Sequence, residues 1–270
     1  MGVQPRAYAP DLDPAQTDTT LSSEESAHLV RVLRLGAGAR VLVFDGRGTQ
    51  YVARITTAAK DRVTLALLDP VAPAPEPRVR LVLAQAVLKG EKMDAVVRDA
   101  TMMGVSAVIP LITARTVIPR SALEIGRVRE RWHRIAVSSA KQCGRAIVPE
   151  IGPPERLTDL FEAQAQDAPD VMRLQLIEPA AASASESPSV TASSTDADGA
   201  RDIGPNGRLP AEPSPAGTLI AIGPEGGWAP EEVDQAREAG WQTWTLGART
   251  LRAESAPLAA LSILTYAWRL

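Results

Sequence analysis

Hydrophobic positions follow two different rhythms along this chain, and the change of rhythm divides it. Residues 21–35 predict a helix, because Leu29, Val32 and Leu33 fall at i, i+3 and i+4 on one face. Ser22 with Glu25 fits a capping box at its start, and Gly36 and Gly38 stand where it should end. Three short strand-like runs follow: Arg40–Phe44, Thr49–Thr56 and Arg62–Leu67. The pair Asp45-Gly46 between the first two is a hairpin signal. Together these predict a small β-rich domain of roughly 70 residues. Prolines at 70, 73, 75 and 77 then exclude a helix or central strand and mark a linker.

Beyond the linker, strands and helices alternate. Val79–Val87, Val105–Leu111, Val171–Ile177, Thr218–Ile222 and Gln242–Leu246 read as strands. Lys89–Met103 reads as a helix with Met93, Val96, Val97 and Ala100 on one face. Further helices are expected over Ser121–Gln142, Leu157–Gln164, Pro230–Ala239 and Ser255–Arg269, where Pro257 suits a first turn. This alternation predicts an α/β domain with a mostly parallel sheet and helices on both faces. The expected division is therefore 1–72 and 73–270. Pro179–Ala216 breaks the pattern with Ala, Ser, Pro, Asp, Gly and Thr and reads as a flexible insertion.

Composition narrows the function. The chain has 270 residues, 45% of them hydrophobic and 23% charged, in the ordinary globular range. One cysteine, Cys143, excludes a disulfide framework and any multi-cysteine metal site. His28 and His133 are in no metal-ligand spacing, so no metal is expected. The first residues carry no apolar signal core, and the uncharged stretch Ala100–Ala114 is too short to span a bilayer. A cytoplasmic protein with no membrane contact is the simplest expectation. The net charge of −3 excludes a uniformly basic nucleic-acid binder, but residues 76–150 carry 13 basic and 7 acidic side chains. Residues 151–270 carry 8 and 17, and the insertion alone contributes −3.

Four segments carry candidate chemistry. In Ile220–Trp228 an apolar strand enters a turn with Gly223, Gly226 and Gly227, and a helix follows. Such a loop at a strand's C-terminal end is a ligand position in open α/β sheets. A plain strand–turn–helix connection reads equally well. No Lys-Ser/Thr follows, and Glu225 would repel a phosphate, so a neutral or cationic ligand suits it better. Thr245–Ala260 repeats the arrangement with Gly247, and Arg249, Arg252 and Glu254 crowd its loop. Glu254 complements the dipole of the helix starting near Ser255, or is only its cap. In Ala136–Pro149, Lys141 and Arg145 suit phosphates and Gln142 suits a base, unless they merely close a helix C-terminus. Finally, Arg115–Arg145 holds eight basic residues against Glu124 and Glu130, which fits a nucleic-acid face or a solvated helix.

These segments together resemble one family. Ile222–Glu232 (IGPEGGWAPEE), Leu246–Ala256 (LGARTLRAESA), Lys141–Ile151 (KQCGRAIVPEI), His28–Leu35 (HLVRVLRL) and Val43–Gly48 (VFDGRG) are similar to the RsmE family, in the same order. These are 16S rRNA uridine-N3 methyltransferases of the SPOUT superfamily. The resemblance implies a PUA-like β-barrel that helps hold RNA, followed by a SPOUT α/β domain with a C-terminal trefoil knot. It implies a homodimer acting on the small ribosomal subunit, with S-adenosyl-L-methionine as donor. Carried onto this sequence, the donor pocket comprises Ile177, Glu178, Ile222, Gly223, Pro224, Glu225, Gly226, Gly227, Leu246, Gly247, Leu251 and Arg252. Arg252 is the catalytic cation and Glu254 orients it, while Arg6, Arg34, Arg131, Lys141, Gln142 and Arg145 hold RNA. Ala253 and Ser255 depart from the family's usual threonines, and Trp228 stands where Phe or Leu is commoner. Another SPOUT methyltransferase acting on tRNA or a different rRNA site, and a non-catalytic RNA-binding module, remain as alternatives.

Overall fold

The computed structural model describes residues 4–117, 126–167, 170–179, 181, 213, 214 and 216–270. The insertion expected over 179–216 and the first turn of the helix expected from Ser121 lie largely outside these residues. The chain forms two units, Met1–Glu76 with Ala136–Val148, and Pro77–Ile135 with Pro149–Leu270. The sequence partition at residue 72 did not include the second segment of the first unit.

The first unit is built on a mixed five-stranded sheet. Its strands are β1 (Arg6–Tyr8), β2 (Asp18–Thr20), β3 (Arg40–Phe44), β4 (Gln50–Ala58) and β5 (Val63–Pro70). Their spatial order is β1-β3-β4-β5-β2. β1 runs parallel to β3, and the other pairs are antiparallel. Period-two alternation explains the packing: Val41, Val43, Ala53, Ile55, Val63 and Leu65 all turn inward and are buried. The predicted hairpin is present, and Asp45 fixes it by accepting from the Arg47 and Thr49 N–H groups at 2.7 and 2.9 Å.

The predicted helix at 21–35 is shorter and less regular than its apolar spacing suggested. An α-helix, α1, spans Ser23–Ala27 and passes into a π turn over His28–Val32. It ends before the glycines, and Arg34 takes the left-handed conformation at φ 54°. Ser22 caps it by accepting from the Glu25 N–H at 3.2 Å. The Glu25 carboxylate does not complete the capping box. It accepts from the Tyr8 N–H at 3.1 Å and from Lys141 Nζ at 2.7 Å.

Ala136–Val148 joins this unit through buried charge. The Arg6 guanidinium donates to the carbonyls of Ala140 and Arg145 at 2.7 and 2.9 Å, and to Gln50 Oε1. It lies 4.6 Å from the centre of the Phe44 ring. Arg145 is itself buried and pairs with Glu76 at 2.6 Å.

The second unit holds a seven-stranded parallel sheet: β6 (Leu81–Ala86), β7 (Ala107–Ile112), β8 (Glu150–Ile151), β9 (Glu155–Arg156), β10 (Met172–Leu176), β11 (Thr218–Ile222) and β12 (Gln242–Trp244). The order is β12-β10-β11-β6-β7-β8, with β9 also on β7. Every pairing is parallel, as the strand–helix alternation predicts. β6 and β11 are buried along their whole length, which is why they read as continuous apolar runs. The helices are α2 (Lys92–Met102), α3 (Arg127–Cys143), α4 (Leu157–Asp167), α5 (Pro230–Glu238) and α6 (Ala256–Trp268), and α3 passes into the first unit after Ile135. α4 and α5 place Leu157, Leu160, Phe161, Val233 and Ala236 against Val82, Ala84, Leu219 and Ala221. The short strands β1, β2, β8 and β9 were not foreseen, because two or three residues show no periodicity.

The buried Arg6 generates a prediction. Arg6→Ala removes the donor that the carbonyls of Ala140, Lys141 and Arg145 and the Gln50 amide oxygen share. It is expected to lower unfolding free energy by about 3 kcal/mol. An unchanged denaturant midpoint would contradict this account of the unit.

Candidate functional site

Leu176 on β10, Ile222 on β11 and Gln85 on β6 stand opposite one another, and Leu176 is also level with Trp244 on β12. Four adjacent parallel strands therefore release their chains at one edge, where ligands bind in open α/β sheets. A cavity of about 300 Å³ lies there. One wall is Ile222, Gly223, Pro224, Glu225 and Gly227 after β11, with Trp228. A second is Leu246, Arg249, Leu251, Arg252 and Glu254 after β12. Ile177 and Glu178 after β10 form the third. The two predicted glycine loops thus face one cavity. Gly226 and Gly247 are not on its surface, although they belong to the same loops.

The first loop is held from several sides. The Trp228 indole donates to the Leu176 carbonyl at 2.7 Å and lies against Gly223, where a Cβ would come within 3.2 Å of the ring. Arg115 Nη1 donates to the Gly226 carbonyl at 2.7 Å. The buried Glu232 carboxylate accepts from the N–H groups of Ala114 and Ala229 at 2.8 and 2.9 Å, tying the turn after β7 to the start of α5. Beneath the loop, the buried Gln85 amide donates to the carbonyls of Ile222 and Gly223 at 3.4 and 3.3 Å.

Charge within the cavity is arranged in a way the sequence reading did not anticipate. Lys92, the first residue of α2, lines it and lies 3.1 Å from Glu225 Oε1 and 3.6 Å from Glu254 Oε2. Glu254 is thus paired with Lys92, a contact that the sequence reading did not include. Partial burial pushes the Glu225 carboxyl up. Its own backbone N–H, the Lys92 ammonium and the Lys89 N–H outweigh that and hold it below the usual carboxylate range. Hydrogen bonding to Glu225, with the charges of Glu225 and Glu254, raises Lys92. Lys92 follows Gly90 in a third glycine-containing junction between a strand and a helix. That repetition of the pattern was the available signal for it.

Comparison with known proteins assigns this architecture. The family profile described as RNA methyltransferase domain matches residues 75–265, and that of the RNA methyltransferase PUA domain matches residues 21–68. The ribosomal RNA small subunit methyltransferase E of Synechocystis is 31% identical over 247 residues, covering 92% of this chain and 72% of its own. That of Bacillus subtilis is 27% identical, covering 92% and 89%. The chain belongs to the ribosomal RNA small subunit methyltransferase E family. A crystal structure of the Neisseria gonorrhoeae member bound to S-adenosyl methionine aligns over 98% of both chains, with TM-score 0.79 and 28% identity.

The RNA-binding residues carried over from the RsmE resemblance meet different fates. Arg34 and Gln142 are exposed in the first unit. Arg6 and Arg145 are buried and committed to the contacts described above, and Lys141 is paired with Glu25. In the second unit Arg131 is exposed and paired with Asp94. The basic run is correspondingly thinner than its count. Arg115 holds Gly226, and Arg129 Nε donates to the Ile151 carbonyl at 2.7 Å. Arg127, Arg131 and Arg134 recur at i, i+4 and i+7 along one exposed face of α3. Arg120 and Glu124 lie outside the described residues.

Gly227 tests the cavity wall directly. It holds φ +67°, and a Cβ there would fall 2.7–2.9 Å from the Glu178 carboxylate. Gly227→Ala is expected to cost about 1–2 kcal/mol from the left-handed backbone alone. It should also displace Glu178. Unchanged stability with Glu178 in place would refute the tight fit.

Proposed function

We propose that this chain is a cytoplasmic methyltransferase that moves a methyl group from S-adenosyl-L-methionine to N3 of a uridine in 16S rRNA of the small ribosomal subunit. The observation that carries the reading is the make-up of the cavity. Two glycine loops enclose it, three carboxylates (Glu178, Glu225 and Glu254) line it beside Lys92, Arg249 and Arg252, and no Lys-Ser/Thr pair follows the glycines. Those features favour a ligand that carries both apolar and charged groups but no phosphate. The donor has that chemistry, and the gonococcal relative named above was solved bound to it.

The residues present fit the donor. The backbone at Gly223 and Gly227, with Ile222, Leu246 and Leu251, suits its uncharged nucleoside. The carboxylates suit its sulfonium and ammonium groups. When bound, the donor supplies an electrophilic methyl on positively charged sulfur. The chain's own contribution is positional and electrostatic. Uridine N3 must lose its proton as it becomes nucleophilic, and negative charge develops on the base. Arg252, exposed on the second loop, is the cation assigned to stabilise that charge. Holding both reactants in line lowers the barrier further.

The exposed face of α3 that carries Arg127, Arg131 and Arg134, together with Arg34 and Gln142, is assigned to RNA. The trefoil knot and the homodimer follow from the family resemblance. Two exposed apolar side chains on α6 support the dimer: Leu258 and Tyr266 stand at i and i+8 with Ser262 between them, and Tyr266 is 78% exposed.

Arg252→Ala, assayed at saturating donor, should lower methylation of 16S rRNA by about 10²-fold or more. Wild-type turnover in that variant would overturn the catalytic assignment. Arg134→Glu should weaken RNA binding, and reduce its dependence on salt, without changing donor affinity. Sedimentation should show a dimer that Tyr266→Glu dissociates. A monomeric wild type would remove the dimer from the proposal.

A further inference from the structure

The loops that enclose the cavity leave strands β11 and β12, which are not neighbours, since β10 lies between them. A third chain segment reaches both. After β6, Val87 and Leu88 are buried, and the Lys89 N–H donates to Glu225 Oε1 at 3.2 Å. Lys92 Nζ then donates to the same oxygen at 3.1 Å and lies 3.6 Å from Glu254 Oε2. Glu225 belongs to the loop after β11 and Glu254 to the loop after β12. One ammonium therefore touches both glycine loops.

We propose that Lys92 is a positioning residue that sets the separation of these two loops, an inference that rests on reading the cavity as the donor site. Three observations carry it. First, the lysine sits at the start of a helix, where the dipole disfavours a cation, so helix stability does not account for it. Second, among the described residues Glu254 Oε2 is buried and accepts no hydrogen bond, and Lys92 is the cation that pairs with it. Third, the base of the lysine is fixed, because Met93, Val96, Val97 and Ala100 anchor α2 in the core. Two carboxylates facing one cavity repel each other. A cation between them turns that repulsion into a defined spacing, no wider than the two contact distances together. An ion pair with a half-exposed lysine adds little to global stability, so the expected effect is on loop geometry and ligand affinity.

Lys92→Met and Lys92→Arg separate this role from a merely structural one. Hydrogen exchange is read on the donor-free protein at the amides of Lys89, Gly227, Ser255 and Ala256, which are hydrogen-bonded at the three junctions. S-adenosyl-L-methionine affinity is read by calorimetry, and turnover is read at saturating donor. Lys92→Met should speed exchange in both glycine loops and raise the donor Kd about tenfold, while turnover at saturation falls less than about threefold. Lys92→Arg should restore all three. Exchange that changes in one loop only or in neither, or an arginine that fails to restore it, would overturn the bridge. If the wild type binds no donor, the functional reading fails, and the exchange comparison still decides the role of Lys92.

Discussion

Leu176, Ile222 and Gln85 stand opposite one another across β10, β11 and β6, and the candidate site depends on that register. A parallel sheet with evenly spaced bonds lets neighbouring strands end level, so loops far apart in sequence emerge side by side. Shifting β11 by one residue would turn Ala221 and Ile222 to opposite faces and carry the glycine loop off the cavity. The Trp228 indole secures the arrangement by donating to Leu176 across the strand junction and packing on Gly223. The Gln85 amide supports the same turn from the sheet side. Backbone shape at the site is thus fixed by sheet geometry and a few long-range hydrogen bonds.

Charge is the second organising element, and it works differently in the two units. In the first, Arg6 and Arg145 are structural. They lie inside and donate to main-chain carbonyls, Gln50 and Glu76, and removing either takes away the donor that those acceptors share. In the second, charge gathers around an open cavity. Lys92, Arg249 and Arg252 share its walls with Glu178, Glu225 and Glu254. The same residue types therefore build a core in one place and line an open cavity in the other, and burial separates the two.

The sequence alone determined the longer strands and helices and the order in which they follow one another. β3 and β11 occur with the limits that apolar spacing predicts, and the strand–helix alternation correctly implies a parallel sheet. The two glycine loops were legible because strand, glycine and helix follow one another locally. Four motifs in order, the N-terminal one in two parts, were enough to identify the family. Tertiary structure decided what the charged residues do. Arg6 meets Ala140 across 134 positions, and Lys92 meets Glu225 across 133, so no local pattern could place them. The physical reason is that periodicity reports which side of an element is buried. The partner of a buried or cavity-lining charge depends on where the whole chain has brought its other parts.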